Sequence, residues 1–590
     1  MPSLADEARR WLEEDPDPTT RAELERILAE NDEKALQEAF GARLEFGTAG
    51  LRGFLGPGPG RMNRALVRRV SCGLGRYLLE QVEDGADRGV VVGYDGRHMS
   101  PDFARDTAEV LAGLGIRVHL FDRMVPTPVV SVAVRSLGAA AGVMVTASHN
   151  PPEYNGYKVY WGNGAQIIPP HDEGISEAIE AIESLQEVPL ADLDQAVEAG
   201  WVTMEGEKQL EDYLDDILRL RRRPDIPLED LKVVYTPLHG VGGHLLREAL
   251  VRAGLEHLHV VEEQFTPDGD FPTVRFPNPE EEGAMDLALA KAAEVGADLV
   301  LANDPDADRL AVALPEASSG EGGWRMLSGD QIGSLLGHYL LTENLPSRVK
   351  PLLMTTIVSS RLLSRMAAAG GAAYDETLTG FKWIANVSQR HRREDGVELI
   401  LGYEEALGYS VGMVTADKDG ISAALLFAEL AAVERSRGRT VLDRLDEVYR
   451  SFGLHLTRQH SLTLPGAEGA KRIEAILAAV RRDPPRRIGE TGPRVLAVTD
   501  YADGSSRALV DGAVAPPPPL DLPRSNVLAL HLQDDARILL RPSGTEPKVK
   551  FYFEIVEPRL EEESLPQAEK RARERLDELE ESLLALIEEL

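Results

Sequence analysis

Hydrophobic positions along this chain change period several times. Over the first forty residues they recur at helical spacing. Thr20 and Glu23, ahead of Leu24, Ile27 and Leu28, are spaced as a capping box, which predicts a helix starting there. From about residue 88 short β-branched runs alternate with helical stretches, the pattern of stacked βαβ units. The pattern occurs three times. Ala141–Val145 (AGVMV) leads into the polar TASHNPPEYNG, and the strand YKVYW follows. ADLVLA (297–302) leads into NDPDADR and returns as LAVAL. VELIL (397–401) leads into GYEEALGY and returns as SVGMV, with Met413–Thr415 expected to continue that strand. Behind the return strands stand HDEGISEAIEAI (171–182), SGDQIGSLLGHYLL (328–341) and DKDGISAALLFAEL (417–430). Each opens on an acidic turn with Gly, then an Ile and a helical run. Three concordant units predict an internal triplication, and so an α/β fold of three related α/β domains.

From about Phe452 the pattern changes. Strands are expected around HLTRQHSLTL, RVLAVTD, NVLALHL and ARILLR, and the Pro516–Pro519 run fits only a loop. A closing amphipathic helix carries Leu576, Leu579, Leu583, Leu586 and Leu590 on one stripe. This predicts a smaller C-terminal α+β domain. The resulting division is 1–45 (an N-terminal helical extension), 46–225, 226–345, 346–452 and 453–590.

Composition narrows the function classes. The 590 residues allow roughly three to five domains. Apolar residues make up 43% and aromatics 5%, so the cores should be aliphatic. With 64 basic against 98 acidic residues the net charge is −34, which argues against nucleic acid or an anionic membrane as partner. Only 12 of the basic residues are Lys against 52 Arg; a high-salt cytoplasm and a codon bias both account for this. Cys72 is the only cysteine, which excludes an internal disulfide framework and a Cys-based zinc site. MPSLADEARRWLEEDPD lacks the apolar segment of a signal peptide, and no run of eighteen apolar residues occurs. The expectation is a cytoplasmic protein.

The candidate chemistry lies in the loops that follow the strands, where open α/β sheets bind ligands. In Thr146-Ala147-Ser148-His149-Asn150-Pro151 a hydroxyl stands beside an imidazole, although Ser, Asn and Pro also make ordinary turns. In Asp304-Pro305-Asp306-Ala307-Asp308-Arg309 alternate carboxylates can converge on one hard cation such as Mg²⁺; otherwise this is a solvated acidic turn. A calcium EF-hand fails, because Arg309 stands where that loop needs Gly and Pro315 where it needs Glu. In Gly402-Tyr403-Glu404-Glu405-Ala406-Leu407-Gly408 paired carboxylates can accept hydrogen bonds from vicinal hydroxyls. Arg541-Pro542-Ser543-Gly544-Thr545-Glu546-Pro547 has the makings of an anion nest or of a hairpin turn. Gly408-Tyr-Ser410-Val-Gly412 matches a serine-hydrolase elbow but lacks the strand-to-helix setting that motif needs. Gly240-Val-Gly242-Gly243 has Leu245 where a dinucleotide fingerprint needs its last Gly.

Taken together, TASHNP (146–151), DPDADR (304–309), YEEALG (403–408) and RPSGTEP (541–547), with FGTAGLRG (46–53) and LTGFKW (378–383), resemble the α-D-phosphohexomutase superfamily over roughly residues 46–555. The resemblance implies a heart-shaped, four-domain architecture: a phosphoserine domain (46–225), a metal-binding domain (226–345), a sugar-binding domain (346–452) and a phosphate-binding domain (453–590). It implies that Ser148 carries the phosphoryl group and, with Asp304, Asp306 and Asp308, holds Mg²⁺. Arg52 and His149 would stand near the transferred group, with Lys158 or His149 as acid/base. Arg309 would clamp the phosphoryl oxygens. Thr379, Gly380, Lys382, Glu404 and Lys418 would read the sugar, and Arg541, Ser543, Gly544 and Thr545 the second phosphate. The implied activity is that of a phosphoglucomutase, converting α-D-glucose 1-phosphate to glucose 6-phosphate through glucose 1,6-bisphosphate. Closure of the last domain would hinge near 450–460. Ala406 stands where many hexose mutases have Ser, and the YEEALG form is similar to long bacterial α-phosphoglucomutases and phosphopentomutase-like proteins. Phosphopentomutase, phosphomannomutase and sugar bisphosphate synthase activities therefore remain alternatives.

Overall fold

The computed structural model describes the chain except residues 1–2, 48–49, 317–322, 465, 491, 511–522, 544–547, 561 and 590. The Pro516–Pro519 run, Gly544 and Thr545 therefore lie outside the described residues. The chain divides into two compact units, Met1–Leu327 with Leu407–Arg437, and Ser328–Ala406 with Gly438–Leu590.

The first unit opens with helices Leu4–Glu14, Pro18–Glu30 and Glu33–Phe40, whose Leu24, Ile27, Leu36 and Phe40 share a small core. The second helix begins earlier than the Thr20/Glu23 spacing predicts. Asp17 is its N-cap, accepting from the Thr19 amide at 2.8 Å, and Pro18 takes the first turn. Proline's fixed φ suits that position, and its missing N–H is one the helix start leaves unused. Thr20 lies inside the helix, its hydroxyl donating to Asp15 at 2.7 Å.

Two sheets follow in this unit. Strands β1 (Leu51–Phe54), β2 (Val90–Tyr94), β3 (Val118–Phe121), β4 (Ala141–Val145), β5 (Tyr154–Trp161) and β6 (Val202–Glu205) lie in the order β1-β5-β4-β2-β3-β6. Only β5 runs against its neighbours. Strands β7 (Lys232–Thr236), β8 (His257–Val260), β9 (Leu299–Ala302), β10 (Ala311–Pro315) and β11 (Trp324–Met326) lie in the order β11-β10-β9-β7-β8, with β7 parallel to β8 and β9 and β10 antiparallel to β9. The central strands β4 and β9 are buried at every residue, as a parallel strand covered on both faces must be.

In the second unit β12 (Pro351–Thr356) pairs in parallel with β13 (Ala373–Thr377) and β14 (Glu398–Glu404). The arrangements β3-β2-β4, β8-β7-β9 and β13-β12-β14 are one order repeated, and this is the expected triplication. The unit boundary divides the third repeat, since β15 (Gly408–Val411) and the helix Gly420–Ser436 belong to the first unit. Met413–Thr415 does not continue β15, contrary to expectation. Gly412 has φ +66°, which takes the backbone out of the extended region and ends the strand. Ser410 still lies within a strand and not on an elbow.

The second unit also carries β16 (Leu454–Thr463), β17 (Val495–Asp500), β18 (Ser505–Ala508), β19 (Leu528–Leu532), β20 (Arg537–Pro542) and β21 (Lys548–Glu557), in the order β16-β21-β20-β19-β17-β18. All neighbours are antiparallel. The helix Leu565–Glu589 covers β16 and β21 with Leu576, Leu579, Leu583 and Ile587 buried. The stripe thus passes through Ile587, with Leu586 only partly buried and Leu590 outside the described residues. No helix among the described residues is long and apolar enough to cross a membrane.

Candidate active site

Ser148 stands in the loop that leaves β4. Thr146 Oγ1 accepts from the Ser148 amide at 2.8 Å, and Ser148 has φ +53°. The left-handed region costs an L-residue roughly 1–2 kcal/mol, so something must hold it there. Arg97, 2% exposed, does so. Its guanidinium donates to the carbonyls of Pro151 at 2.8 Å, Tyr154 at 3.2 Å, Ser148 at 2.5 Å and also Asn150. Asp95 Oδ2 lies 3.4 Å from its Nε, and the Phe271 ring lies 4.9 Å away. In this turn Ser148 Oγ donates to Asp304 Oδ2 at 2.9 Å and sits 3.2 Å from His149 Nδ1. Arg52 on β1 reaches the same loop, donating to Asn150 Oδ1 at 2.9 Å.

The second loop leaves β9. Ala307 has φ +57° and its amide donates to the Asp304 carbonyl at 2.9 Å, closing a tight turn that points three carboxylates inward. One oxygen from each of Asp304, Asp306 and Asp308 lies within 4.8 Å of the others, and all three residues are buried. Three buried carboxylates with oxygens gathered this closely are the donor set a hard divalent cation such as Mg²⁺ takes. Asp306 Oδ1 and Asp308 Oδ1 are buried without a hydrogen-bond partner. Orphaned carboxylate oxygens are costly, and a hard divalent cation would satisfy both. The residues fit the metal that the sequence implies.

Cations surround this loop. Lys158 on β5 donates to Asp306 Oδ2 at 2.7 Å and Asp308 Oδ2 at 3.0 Å. Lys418 Nζ is 3.1 Å from Asp308 Oδ2 and 3.4 Å from Asp417 Oδ1. Asp417 in turn accepts from Tyr160 at 2.8 Å and Gln166 at 2.7 Å. Arg309 Nε is 3.9 Å from both Asp304 and Asp308. Thr127 donates to Asp306 twice, from its hydroxyl to Oδ2 at 2.7 Å and from its amide to the carbonyl at 3.0 Å. Burial and the adjacent carboxylates push Asp304 well above the usual carboxylate range. Burial also pushes Asp306 and Asp308 up, but neighbouring cations, Lys158 foremost, outweigh it and hold both low. Lys158 meets the opposite balance: burial disfavours its charge, and Asp306 and Asp308 restore it to a net rise. Burial, then Arg309 and Arg52, hold His149 well below the ordinary imidazole value.

The second unit holds the remaining candidates. Gly380, at φ +113°, donates its amide to Glu404 Oε1 at 2.8 Å, a backbone angle that favours glycine. Thr379 is partly buried beside it, and Lys382 lies 5.2 Å from the Trp383 ring. Arg541 is the next-to-last residue of β20, and the Ser543 amide donates to the Lys548 carbonyl at 2.7 Å. Tyr552 hydrogen-bonds Arg541; burial and then Glu405 push its phenol up to about 12. Glu405 accepts from Ser359 at 3.0 Å and Thr356 at 3.3 Å, and burial with the Glu404 charge beside it raises it to about 7.

The structure thus gathers Ser148, His149, Lys158, Arg52, the three Asp, Arg309 and Lys418 in the first unit. Thr379, Gly380, Lys382, Glu404, Arg541 and Ser543 belong to the second. Lys418, grouped with the sugar readers from sequence, stands against Asp308. Sequence reasoning passed over Arg97, Thr127, Asp417 and Tyr552, and named Glu405 only as the partner of Glu404 in a carboxylate pair. Asp417 lay inside a motif already singled out; nothing in spacing marks Arg97, Thr127 or Tyr552.

Comparison with known proteins gives a consistent result. Family profiles described as phosphoglucomutase/phosphomannomutase α/β/α domains I, II and III match residues 43–186, 211–318 and 328–452, and the C-terminal domain of that family matches 502–572. A Schizosaccharomyces pombe protein named probable phosphoribomutase is 38% identical over 572 residues, covering 94% of either chain. A Staphylococcus aureus phosphoglucomutase is 37% identical over 521 residues, covering 88% of this chain and 91% of its own. The crystal structure of pp63/parafusin, a phosphoglucomutase from Paramecium, shares the fold, with TM-score 0.68 at 19% identity over 92% of this chain and 96% of its own.

Proposed function

Since the chain belongs to the phosphoglucomutase/phosphomannomutase family of phosphosugar mutases it is an enzyme, and we propose that it interconverts α-D-glucose 1-phosphate and glucose 6-phosphate in the cytoplasm through phospho-Ser148 and glucose 1,6-bisphosphate. The observation that carries this reading is the Ser148 hydroxyl, held 2.9 Å from Asp304 at the edge of a three-carboxylate cluster. Phospho-Ser148 gives its phosphoryl group to the free sugar hydroxyl. The bond from phosphorus to Oγ breaks, a bond to the sugar oxygen forms, and the hydroxyl proton leaves. The resulting bisphosphate turns end for end and returns its other phosphoryl group to Ser148.

Such transfers pass through a loose transition state, so the protein contributes mainly position and charge. Asp304, Asp306 and Asp308, with Ser148, would hold Mg²⁺, which would supply charge neutralisation on the phosphoryl oxygens. Arg309 and Arg52 flank the same oxygens. Lys158, whose charge its two Asp partners favour, gives a proton in this reading, and His149, whose charge burial disfavours, takes one. In the second unit Glu404, with Thr379, Gly380 and Lys382, reads sugar hydroxyls. Arg541 and Ser543, with Gly544 and Thr545, bind the phosphate that is not transferred. Lys418 acts from its place beside Asp308.

The test is incubation with glucose 1-phosphate, MgCl₂ and trace glucose 1,6-bisphosphate, followed by intact-mass measurement and assay of glucose 6-phosphate. One phosphoryl group gained at Ser148 with glucose 6-phosphate formed supports the reading; product without any phosphorylation of Ser148 refutes it. Ala406 and the near-full-length similarity to a probable phosphoribomutase favour a second reading, a pentose 1-phosphate to 5-phosphate mutase on the same machinery. Comparison of kcat/KM on glucose and ribose 1-phosphates decides between them.

A further inference from the structure

Two of the three clustered carboxylates are held by one oxygen only. On Asp306 the Thr127 hydroxyl and Lys158 Nζ both donate to Oδ2, each at 2.7 Å. Oδ1 is buried with no hydrogen-bond partner among the described residues. Asp308 repeats the pattern. Its Oδ2 takes Lys158 at 3.0 Å and Lys418 at 3.1 Å, while Oδ1 has only Arg309 Nε at 3.9 Å, beyond hydrogen-bond reach. Asp304 differs: one oxygen accepts from the Arg309 amide at 3.0 Å and the other from the Ser148 hydroxyl at 2.9 Å. Donors crowded onto one oxygen fix the rotation of a carboxylate and leave the other oxygen's lone pairs open to a cation.

The two groups that hold Asp306 are not equivalent. Lys158 divides its donors between two carboxylates and has a chemical part of its own in the proposed reading. The Thr127 hydroxyl donates to Asp306 alone among the described residues. Its backbone is committed to the same residue, since the Thr127 amide donates to the Asp306 carbonyl at 3.0 Å. The local sequence makes that amide available. Thr127 opens the helix Thr127–Ser136, whose first amides have no partner within the helix, and Pro126 before it supplies no side-chain cap.

The helix is itself fixed. Thr127–Val134 are buried without a break. Ser131 Oγ donates to the Gly164 carbonyl at 2.7 Å and accepts from the Ala416 amide at 3.1 Å. Arg135 donates to the carbonyls of Met413 at 2.7 Å and Val414 at 3.0 Å. A residue at the head of a rigid, buried helix thus grips both the main chain and the side chain of Asp306.

Resting on the proposed metal reading, we infer that Thr127 is a positioning residue for the cation, which pins Asp306 by Oδ2 and reserves Oδ1 as the ligand oxygen. Groups that orient a metal's ligands in this way contribute about 10–100-fold to its affinity. A role confined to starting the helix would cost stability on substitution and leave the affinity unchanged.

The test uses the full-length protein with Thr127→Val, which keeps the branched shape and removes the hydroxyl, and Thr127→Ser, which keeps the hydroxyl. Isothermal titration with MgCl₂ in the absence of phosphosugar gives Kd, and the rise of Tm with MgCl₂ gives a second measure that does not depend on activity. Thr127→Val should weaken Mg²⁺ binding about 10–100-fold. Thr127→Ser should bind within about threefold of wild type. If Thr127→Val does not fold, Thr127→Ala decides in its place, with binding weakened at least about fivefold. A Kd within about twofold of wild type in folded Thr127→Val or Thr127→Ala overturns the inference, as does Thr127→Ser binding as weakly as Thr127→Val. A wild type that binds no Mg²⁺ brings down the metal reading and the inference with it. A wild type that binds Mg²⁺ beside an unaltered Thr127→Val brings down the inference alone.

Discussion

Arg97→Lys is the substitution that most directly tests how the nucleophile is held. The guanidinium reaches the carbonyls of Ser148, Asn150, Pro151 and Tyr154 with two nitrogens and spans them as a planar fork. An ammonium is one point with three donors, so about two of those carbonyls should lose their partner. A buried polar group left unsatisfied costs about 1–3 kcal/mol, which puts the loss of stability at about 2–6 kcal/mol. The same bonds oppose the roughly 1–2 kcal/mol that favours moving Ser148 out of its left-handed conformation. When that opposition goes, Oγ moves from its place beside Asp304. A displacement of about 1 Å at a reacting atom costs about 10²-fold in rate. We therefore expect kcat to fall about 10²-fold with KM changed less than threefold, because Arg97 is not among the groups proposed to hold the substrate. Steady-state turnover, single-turnover phosphorylation of Ser148 by glucose 1,6-bisphosphate and thermal unfolding check the three parts. A folded Arg97→Lys enzyme with kcat within threefold of wild type would refute the reasoning.

Ser148→Ala should abolish turnover and phosphoryl uptake while circular dichroism stays unchanged; residual rates near wild type would remove Ser148 from the nucleophile's role. Asp306→Asn should raise the Mg²⁺ concentration needed for half-maximal activity at least tenfold, because it removes the negative charge and one of the two acceptor oxygens at an orphaned position, and an unchanged metal titration would count against the carboxylate cluster. Glu405 binds its proton more tightly folded than unfolded, at about 7 against an ordinary 4.5, so its contribution to stability falls as pH rises through that window. Between pH 5.5 and 8 the loss should be about 2 kcal/mol. In denaturant titrations Glu405→Gln should lack that slope relative to wild type; identical pH dependence in both proteins would contradict the assigned burial.

The sequence by itself determined the repeats, the loops that carry chemistry and the family. The reason is local. Strand period, turn residues and motif spacing are set by neighbours along the chain: AGVMV and ADLVLA end where their pattern foretold, whereas the strand of VELIL runs on through Glu404 and leaves only 405–407 as a turn. Where the local reading failed, a competing local preference or a backbone angle decided the outcome: Asp17-Pro18 displaced Thr20 as helix start, and Gly412 cut short the strand expected through Thr415. Only the tertiary structure decided which side chains meet. Lys158 and Asp306 are 148 residues apart, Arg97 and Ser148 are 51 apart, and Glu554 and Arg361 are 193 apart, yet each pair shares hydrogen bonds in which at least one partner is buried. Such contacts follow from sheet order and from which face of a strand is covered, and no periodicity in the chain records them. The same is true of charge state. His149 and Lys158 are ordinary titratable residues in the sequence; burial and their particular neighbours make one neutral and the other an ammonium.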